Sequence, residues 1–210
     1  KINGIGVCVT TTGCGATNAI TGLLDAWQDS QPVLFISGQV KKKETTYFSG
    51  LPLRSFGVQE LDIIPIVASI TKQAFCLGSK ADYFECLEKI SECLFGGRPG
   101  PVWIDIPMDI QSQELTPEES KSALSNVPIG PNWSFSTLHP KTDALEALAE
   151  ALGRSEKPIF LVGNGLRLSN NGKGITAVQE YCLSRSIPIV STYLAADFFL
   201  DSMPNYLGVA

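Results

Sequence analysis

Residues 5–18 read Ile-Gly-Val-Cys-Val-Thr-Thr-Thr-Gly-Cys-Gly-Ala-Thr-Asn. The apolar run Ile5–Val9 predicts a strand, and a helix is expected from about Ala16 to Trp27. Between them lie three hydroxyls and a Gly-x-Gly turn, the pattern of a β-turn-α unit. In an open parallel sheet such turns sit at the carboxyl ends of the strands, where ligands collect. Gly13 and Gly15 permit backbone angles and close approach that a Cβ forbids, while Thr10, Thr11, Thr12 and the first helix amides offer hydrogen-bonding groups. The same spacing also suits a tight turn without a ligand. Asn18 stands where GxGxxG has its third glycine, so the stretch is a poor dinucleotide fingerprint.

Working outward, apolar runs alternate with helical patterns. Strands are expected at Val33–Ser37, Ala74–Leu77 and Val102–Ile106, and helices near Glu60–Ala68 and Ala81–Phe95. Strands apolar on both faces indicate a parallel sheet covered by helices, an α/β fold. Residues 113–140 are rich in Ser, Glu, Pro and Asn and read as a linker, with Pro117, Pro128, Pro131 and Pro140 breaking regular structure. A second α/β series then begins. Thr142 or Asp143 can cap a helix that Gly153 ends, Ile159–Val162 and Ile187–Ser191 read as strands, Gly163-Asn164-Gly165 as a turn, and Ile175–Ser184 as a helix. The expected domains are therefore 1–112, a linker at 113–140, and 141–210.

The chain has 210 residues, 44% of them hydrophobic, and a net charge of -5. That acidity argues against an extended nucleic-acid or anionic-membrane surface, which needs clustered Lys and Arg. The only basic run, Lys41-Lys42-Lys43, is followed by Glu44 and reads as a solvated loop. Six cysteines in mostly apolar segments, with no CxxC pair, read as reduced core residues and suggest a cytoplasmic protein without a membrane span. His139, the single histidine, falls in the linker and is a poor candidate for a catalytic triad. The abrupt ends, Lys1 and Ala210, suggest a piece of a longer polypeptide.

One ordered set of segments says more than any single motif. Gly13-Cys-Gly-Ala-Thr-Asn18, Ile36-Ser-Gly-Gln-Val40, Gln59-Glu60, Ser69-Ile-Thr-Lys72 and Gly97-Arg-Pro-Gly-Pro-Val-Trp-Ile-Asp-Ile-Pro-Met-Asp-Ile-Gln111 follow one another. Together they resemble the acetolactate-synthase-like family of thiamine-diphosphate-dependent enzymes, whose pyrimidine-binding domain reads TSGPGATN, ITGQV, FQE, SITK and GRPGPVxxDIPxDxQ. Lys157–Gly165, Ile187–Thr192 and Tyr206–Ala210 resemble the opening of that family's Rossmann-like central domain.

The resemblance implies a 2-oxo acid decarboxylase or carboligase using thiamine diphosphate and magnesium, in a homodimer or tetramer. Its Glu for the pyrimidine and its metal motif are expected outside these residues, which would contribute one wall of the site and no metal ligand. On that wall the resemblance implies Thr11, Thr12, Gly13, Gly15, Asn18 and Gln39 along the strand ends, and Gln59 facing the cofactor. Two other readings stand: Gln59 as a cap of a helix beginning at Glu60, and Gln39 as a structural loop residue. Cys14 replaces the family's usual Pro and is expected to be buried packing. Arg98 matches an Arg that contacts FAD in flavin-containing members, with Gly163 and Gly165 as further cradle positions, and that relatives without flavin keep in a turn. Leu207–Ala210 lacks the His that acetolactate synthases carry at the matching segment.

The loop Lys41–Phe56 is longer than its acetolactate synthase counterpart. It resembles the version in members encoded with surface-polysaccharide sugar genes, which implies a different acceptor. Within it, Tyr47 and Arg54 are candidate contacts to substrate or a partner subunit, and an exposed, purely structural loop is the other reading. Two other readings stand: a non-catalytic assembly or regulatory subunit of the same fold, and a free-standing nucleotide-binding flavodoxin-like protein.

Overall fold

A computed structural model describes residues 5–126, 141–168 and 173–210, which divide between two units, 1–134 and 135–210. In the first unit β1 (Gly6–Thr10) leads through the glycine turn into α1 (Cys14–Asn18) and α2 (Ile20–Gln28). The expected single helix is broken at Ala19. β2 (Val33–Gln39) follows, then a 3-10 turn at Lys42–Glu44 and α3 (Thr46–Ser49), which Thr45 caps by accepting the Phe48 N–H at 3.1 Å. α4 (Ile64–Val67), β3 (Gln73–Cys76), α5 (Lys80–Phe95), β4 (Val102–Pro107), α6 (Met108–Gln111) and α7 (Pro117–Asn126) complete it.

The four strands are all parallel in the order β1-β2-β4-β3. Leu23 and Ala26 of α2, three residues apart on one helical face, meet Phe35, Ile63, Val67 and Trp103 in a buried cluster. The Phe35 and Trp103 rings stack there with centroids 5.3 Å apart. α5 buries Cys86, Ile90 and Leu94, a row with four-residue spacing.

Three further expectations change in this unit. β1 is an edge strand, and Val7 and Val9 are 60% and 72% exposed rather than buried on both faces. No helix starts at Glu60, because residues 60–63 stay outside regular structure and α4 begins at Ile64, with Pro65 in its first turn. Pro117 does not break the linker into irregular chain. It starts α7, where its missing N–H costs nothing, and Thr116 and Glu119 exchange bonds in a capping box: Thr116 N–H to Glu119 Oε2 at 2.8 Å, Glu119 N–H to Thr116 Oγ1 at 3.2 Å. The other linker prolines and His139 lie outside the described residues.

In the second unit α8 (Thr142–Arg154) precedes β5 (Phe160–Val162), α9 (Gly165–Leu168), α10 (Lys173–Ser184), β6 (Ile189–Ser191), a 3-10 turn at Tyr193–Phe198 and β7 (Tyr206–Val209). The sheet is parallel in the order β5-β6-β7, over a core of Val162, Cys182, Ile187, Ile189, Ala195, Phe198 and Phe199. α8 runs through Gly153 to Arg154, and its N-cap position is Lys141, which makes no side-chain cap; Asp143, inside the first turn, accepts the Ala144 N–H at 2.9 Å. β7 is a strand that apolar runs alone did not reveal. Both units are thus parallel sheets flanked by helices. Among the described residues no helix is long and apolar enough to cross a membrane.

Candidate functional site

The glycine turn after β1 packs against the turn at Gln59. Gly13 has φ +60°, and a Cβ there would lie 2.2 Å from the Gln59 carbonyl oxygen, so position 13 admits only glycine. A Cβ at Gly15 would meet Thr11 Cγ2 at 2.5 Å. Gln59 itself has φ +61°, a left-handed conformation that a non-glycine residue adopts at a cost of about 1 kcal/mol or more. Its side chain is exposed beside the turn. With no helix at Glu60, the capping reading of Gln59 fails.

Beneath this surface lies a buried polar chain. Thr12 Oγ1 donates to Gln39 Oε1 at 2.8 Å and approaches the Gln59 carbonyl at 3.4 Å. Gln39 Oε1 also accepts from the Val40 N–H at 3.0 Å, while its Nε2 donates to Leu61 O at 2.8 Å and to Asp105 Oδ2 at 3.0 Å. Asp105 Oδ1 accepts from Ser37 Oγ at 2.5 Å, and Ser37 Oγ accepts from the Trp103 indole N–H at 2.9 Å. Gln39 was expected to face the site. It is only 6% exposed with every amide valence taken, so it braces the strand ends.

Burial pushes the Asp105 carboxyl up to about 6, against the Ser37 and Gln39 bonds that favour its charge; nearby Asp62, itself raised mainly by burial, adds to the rise. Desolvation likewise pushes the Cys76 thiol up to about 12.

The loop over this end is held rather than free. Glu60, 6% exposed, accepts from Thr46 N–H at 3.2 Å, Thr46 Oγ1 at 2.8 Å and Phe56 N–H at 3.1 Å. Lys41 and Lys43 are exposed, but Lys42 is engaged: its backbone N–H donates to Asp109 Oδ1 at 3.1 Å, its ammonium donates to the Gly78 carbonyl, and the charge sits 4.9 Å from the Phe48 ring centroid. Tyr47, Leu51, Leu53, Phe56 and Val58 are exposed along the same loop, and so is Arg54.

The structure brings Thr11, Thr12, Gly13, Gly15, Gln39 and Gln59 to the carboxyl end of the sheet. Asn18 is exposed at the far end of α1. Cys14 is exposed rather than buried, because α1 turns its first residue outward from the turn.

Arg98 belongs to the opposite end. It precedes β4 and donates through Nε to Ser30 Oγ at 2.6 Å and through Nη2 to Gln28 O at 3.3 Å, beside a cavity of about 570 Å³ that Trp27, Lys72 and Pro99 also line. Gly163 and Gly165 lie in the second unit, where a Cβ at 163 meets only ordinary contacts with Thr192 and one at 165 meets open space.

Residues 1–66 match the family described as "Thiamine pyrophosphate enzyme, N-terminal TPP binding domain". The chain is related to the thiamine pyrophosphate enzymes. Over 97% of its length it is 31% identical to the probable acetolactate synthase large subunit of Methanocaldococcus jannaschii, and over 98% it is 33% identical to acetolactate synthase large subunits of Corynebacterium glutamicum and of Lactococcus lactis. The chain spans about a third of the length of those relatives, 32%, 30% and 33% respectively.

As a wall for the thiamine pyrophosphate of this family, the carboxyl end has fitting chemistry. Its two glycines let the turn pack against Gln59 and Thr11 where a Cβ would collide, Thr10 Oγ1 is buried without a partner among the described residues, and the exposed Gln59 amide offers both donor and acceptor. Among the described residues no cluster of His, Cys, Asp or Glu is arranged to hold a metal.

Asp105, Ser37, Trp103 and Glu60 carry the support of this wall, and reading residues for ligand contact passed them over. The signal for Asp105 was present as a lone charge inside the apolar strand Val-Trp-Ile-Asp-Ile.

Proposed function

We propose that this chain supplies one wall of a thiamine-diphosphate site in a 2-oxo acid decarboxylase or carboligase resembling acetolactate synthase. The observation that carries the reading is the meeting of the Gly13 turn with the left-handed Gln59 at the carboxyl end of a parallel sheet. Thiamine diphosphate, when bound, supplies the electron sink that 2-oxo acid decarboxylation needs. Thr12, Gly13 and Gly15 would line it, Gln59 would face the reacting end as a neutral hydrogen-bonding group, and Thr11 and Asn18 would flank the turn.

Magnesium and the diphosphate would be held by other residues of the complete protein. The exposed apolar side chains from Tyr47 to Val58 support a homodimer or tetramer closing the site, with the loop 41–56 selecting the acceptor. The six cysteines are all free, which supports a cytoplasmic protein. FAD is left out of the proposal, since Arg98 is engaged by Ser30 and Gln28 in the way a structural turn requires.

Calorimetric titration of thiamine diphosphate with magnesium into the complete gene product tests this. Saturable binding is expected, with Gln59→Ala weakening it or slowing 2-oxo acid turnover about tenfold, roughly 1.4 kcal/mol. Absence of saturable binding overturns the cofactor assignment.

A further inference from the structure

The chain of bonds from Trp103 to Thr12 crosses from the middle of the sheet to its surface, and each link has one direction only. The Trp103 indole is a donor, so Ser37 Oγ accepts from it. Asp105, 2% exposed, accepts on both carboxylate oxygens: Ser37 donates at 2.5 Å and Gln39 Nε2 at 3.0 Å. The Gln39 amide is thereby oriented with its nitrogen toward Asp105 and Leu61 O and its oxygen toward Val40 N–H and Thr12. Reversing that amide would set oxygen against oxygen at Asp105 and Leu61, and N–H against N–H at Val40. The Thr12 hydroxyl then gives its proton inward, to Gln39 at 2.8 Å, with the Gln59 carbonyl at 3.4 Å as its longer alternative acceptor.

We infer that Asp105 is a positioning residue, which through Gln39 and Thr12 holds the Thr12–Gly13 turn against Gln59. Three elements support it: β2 contributes Ser37 and Gln39, β4 contributes Trp103 and Asp105, and the turn after β1 contributes Thr12. An ion pair or surface contact in that place would exchange with water. A buried carboxylate with two donors cannot do so at low cost.

The inference bears on the proposed cofactor wall, yet its test needs no cofactor, so either can fail alone. Amide hydrogen exchange by NMR on the 15N-labelled chain reads the turn directly, through Gly15, whose N–H donates to Thr12 O at 3.3 Å, and Thr17, whose N–H donates to Gly13 O at 3.0 Å. Asp105→Asn is expected to speed exchange at Gly15 and Thr17 about tenfold. Ser37→Ala removes the other partner of Asp105 but keeps the Gln39 link, and is expected to leave both amides within about twofold of the parent. Equal effects of the two variants on the turn would reduce Asp105 to a general core residue and overturn the inference. Thr12→Val tests the same link from the solvent side without touching the buried carboxylate. It is expected to speed exchange of the Gln39 side-chain NH2 severalfold, and an unchanged Gln39 signal would equally overturn it.

Discussion

At the carboxyl end of the four-stranded sheet, Ser37, Gln39 and Asp105 bond to one another inside the protein; at the amino end, Arg98 reaches Ser30 and Gln28 along the rim of a cavity. Both ends contain a positive-φ glycine, Gly13 and Gly97, and both contain a perturbed titratable group, Asp105 and Lys72. Their supports differ. Gly13 is pressed against a carbonyl, whereas a Cβ on Gly97 would meet nothing within 4 Å. Hydrogen bonds in the interior have no water to replace them, so the carboxyl end, with buried bonds throughout, is more rigidly specified than the amino end, where Arg98 makes one part-buried and one exposed bond. A preorganised surface belongs at the first.

The glycine pair gives the widest test of that contrast. Gly13→Ala is expected to lower unfolding free energy by about 3 kcal/mol or more, because the left-handed cost and a backbone collision add. Gly97→Ala should cost about 1 kcal/mol, the left-handed conformation alone. Urea unfolding of both variants measures the difference, and equal losses would mean that the Gly13 turn yields freely.

Next in size is removal of one polar partner at each end. Ser37→Ala leaves the Trp103 N–H and a carboxylate oxygen short of a partner and should cost about 2 kcal/mol. Arg98→Ala should cost about 1 kcal/mol, because its bond to Gln28 O is exposed and only the part-buried bond to the Ser30 hydroxyl leaves a buried group short of a partner. A larger loss at Arg98 would reverse the ranking of the two ends.

The smallest effect is in pH. Asp105 has a folded pKa of about 6 against 3.8 for the free group, so the folded state binds the proton more tightly. The stability this contributes is fully present below about pH 4 and is lost as pH rises through 6; from pH 7 to 5 the gain on acidification should be about 1 kcal/mol. Asp105→Asn should remove that limb. Lys72, lowered chiefly by burial, carries the opposite limb: its contribution appears as pH rises toward the usual lysine range, and a Lys72→Met variant should flatten it. Thermal melts from pH 4.5 to 10 check both.

Much of the first unit was legible because its strands and helices are local patterns. The apolar alternation located β2, β4 and α5, and the Gly-x-Gly stretch located the ligand-side turn. Even the missed α7 had a local signal, since Thr-Pro-Glu-Glu at 116–119 is a capping box with proline in the first helical position. Edge position was not local: β1 has the composition of a covered strand, and only its place in the sheet exposes Val7 and Val9.

Residue order by itself determined that the chain builds parallel α/β units and that the turn at 12–15 demands glycine, because periodicity and steric demand are properties of neighbouring residues. Only the tertiary structure decided that Gln39 is a brace, that Gln59 stands in a left-handed turn against Gly13, and that Arg98 faces away from both. Those facts depend on strand order and on which segments meet across 20 to 70 residues of chain. No local pattern encodes which donor will find which acceptor at such a distance, because burial selects the pairing after the sheet has formed.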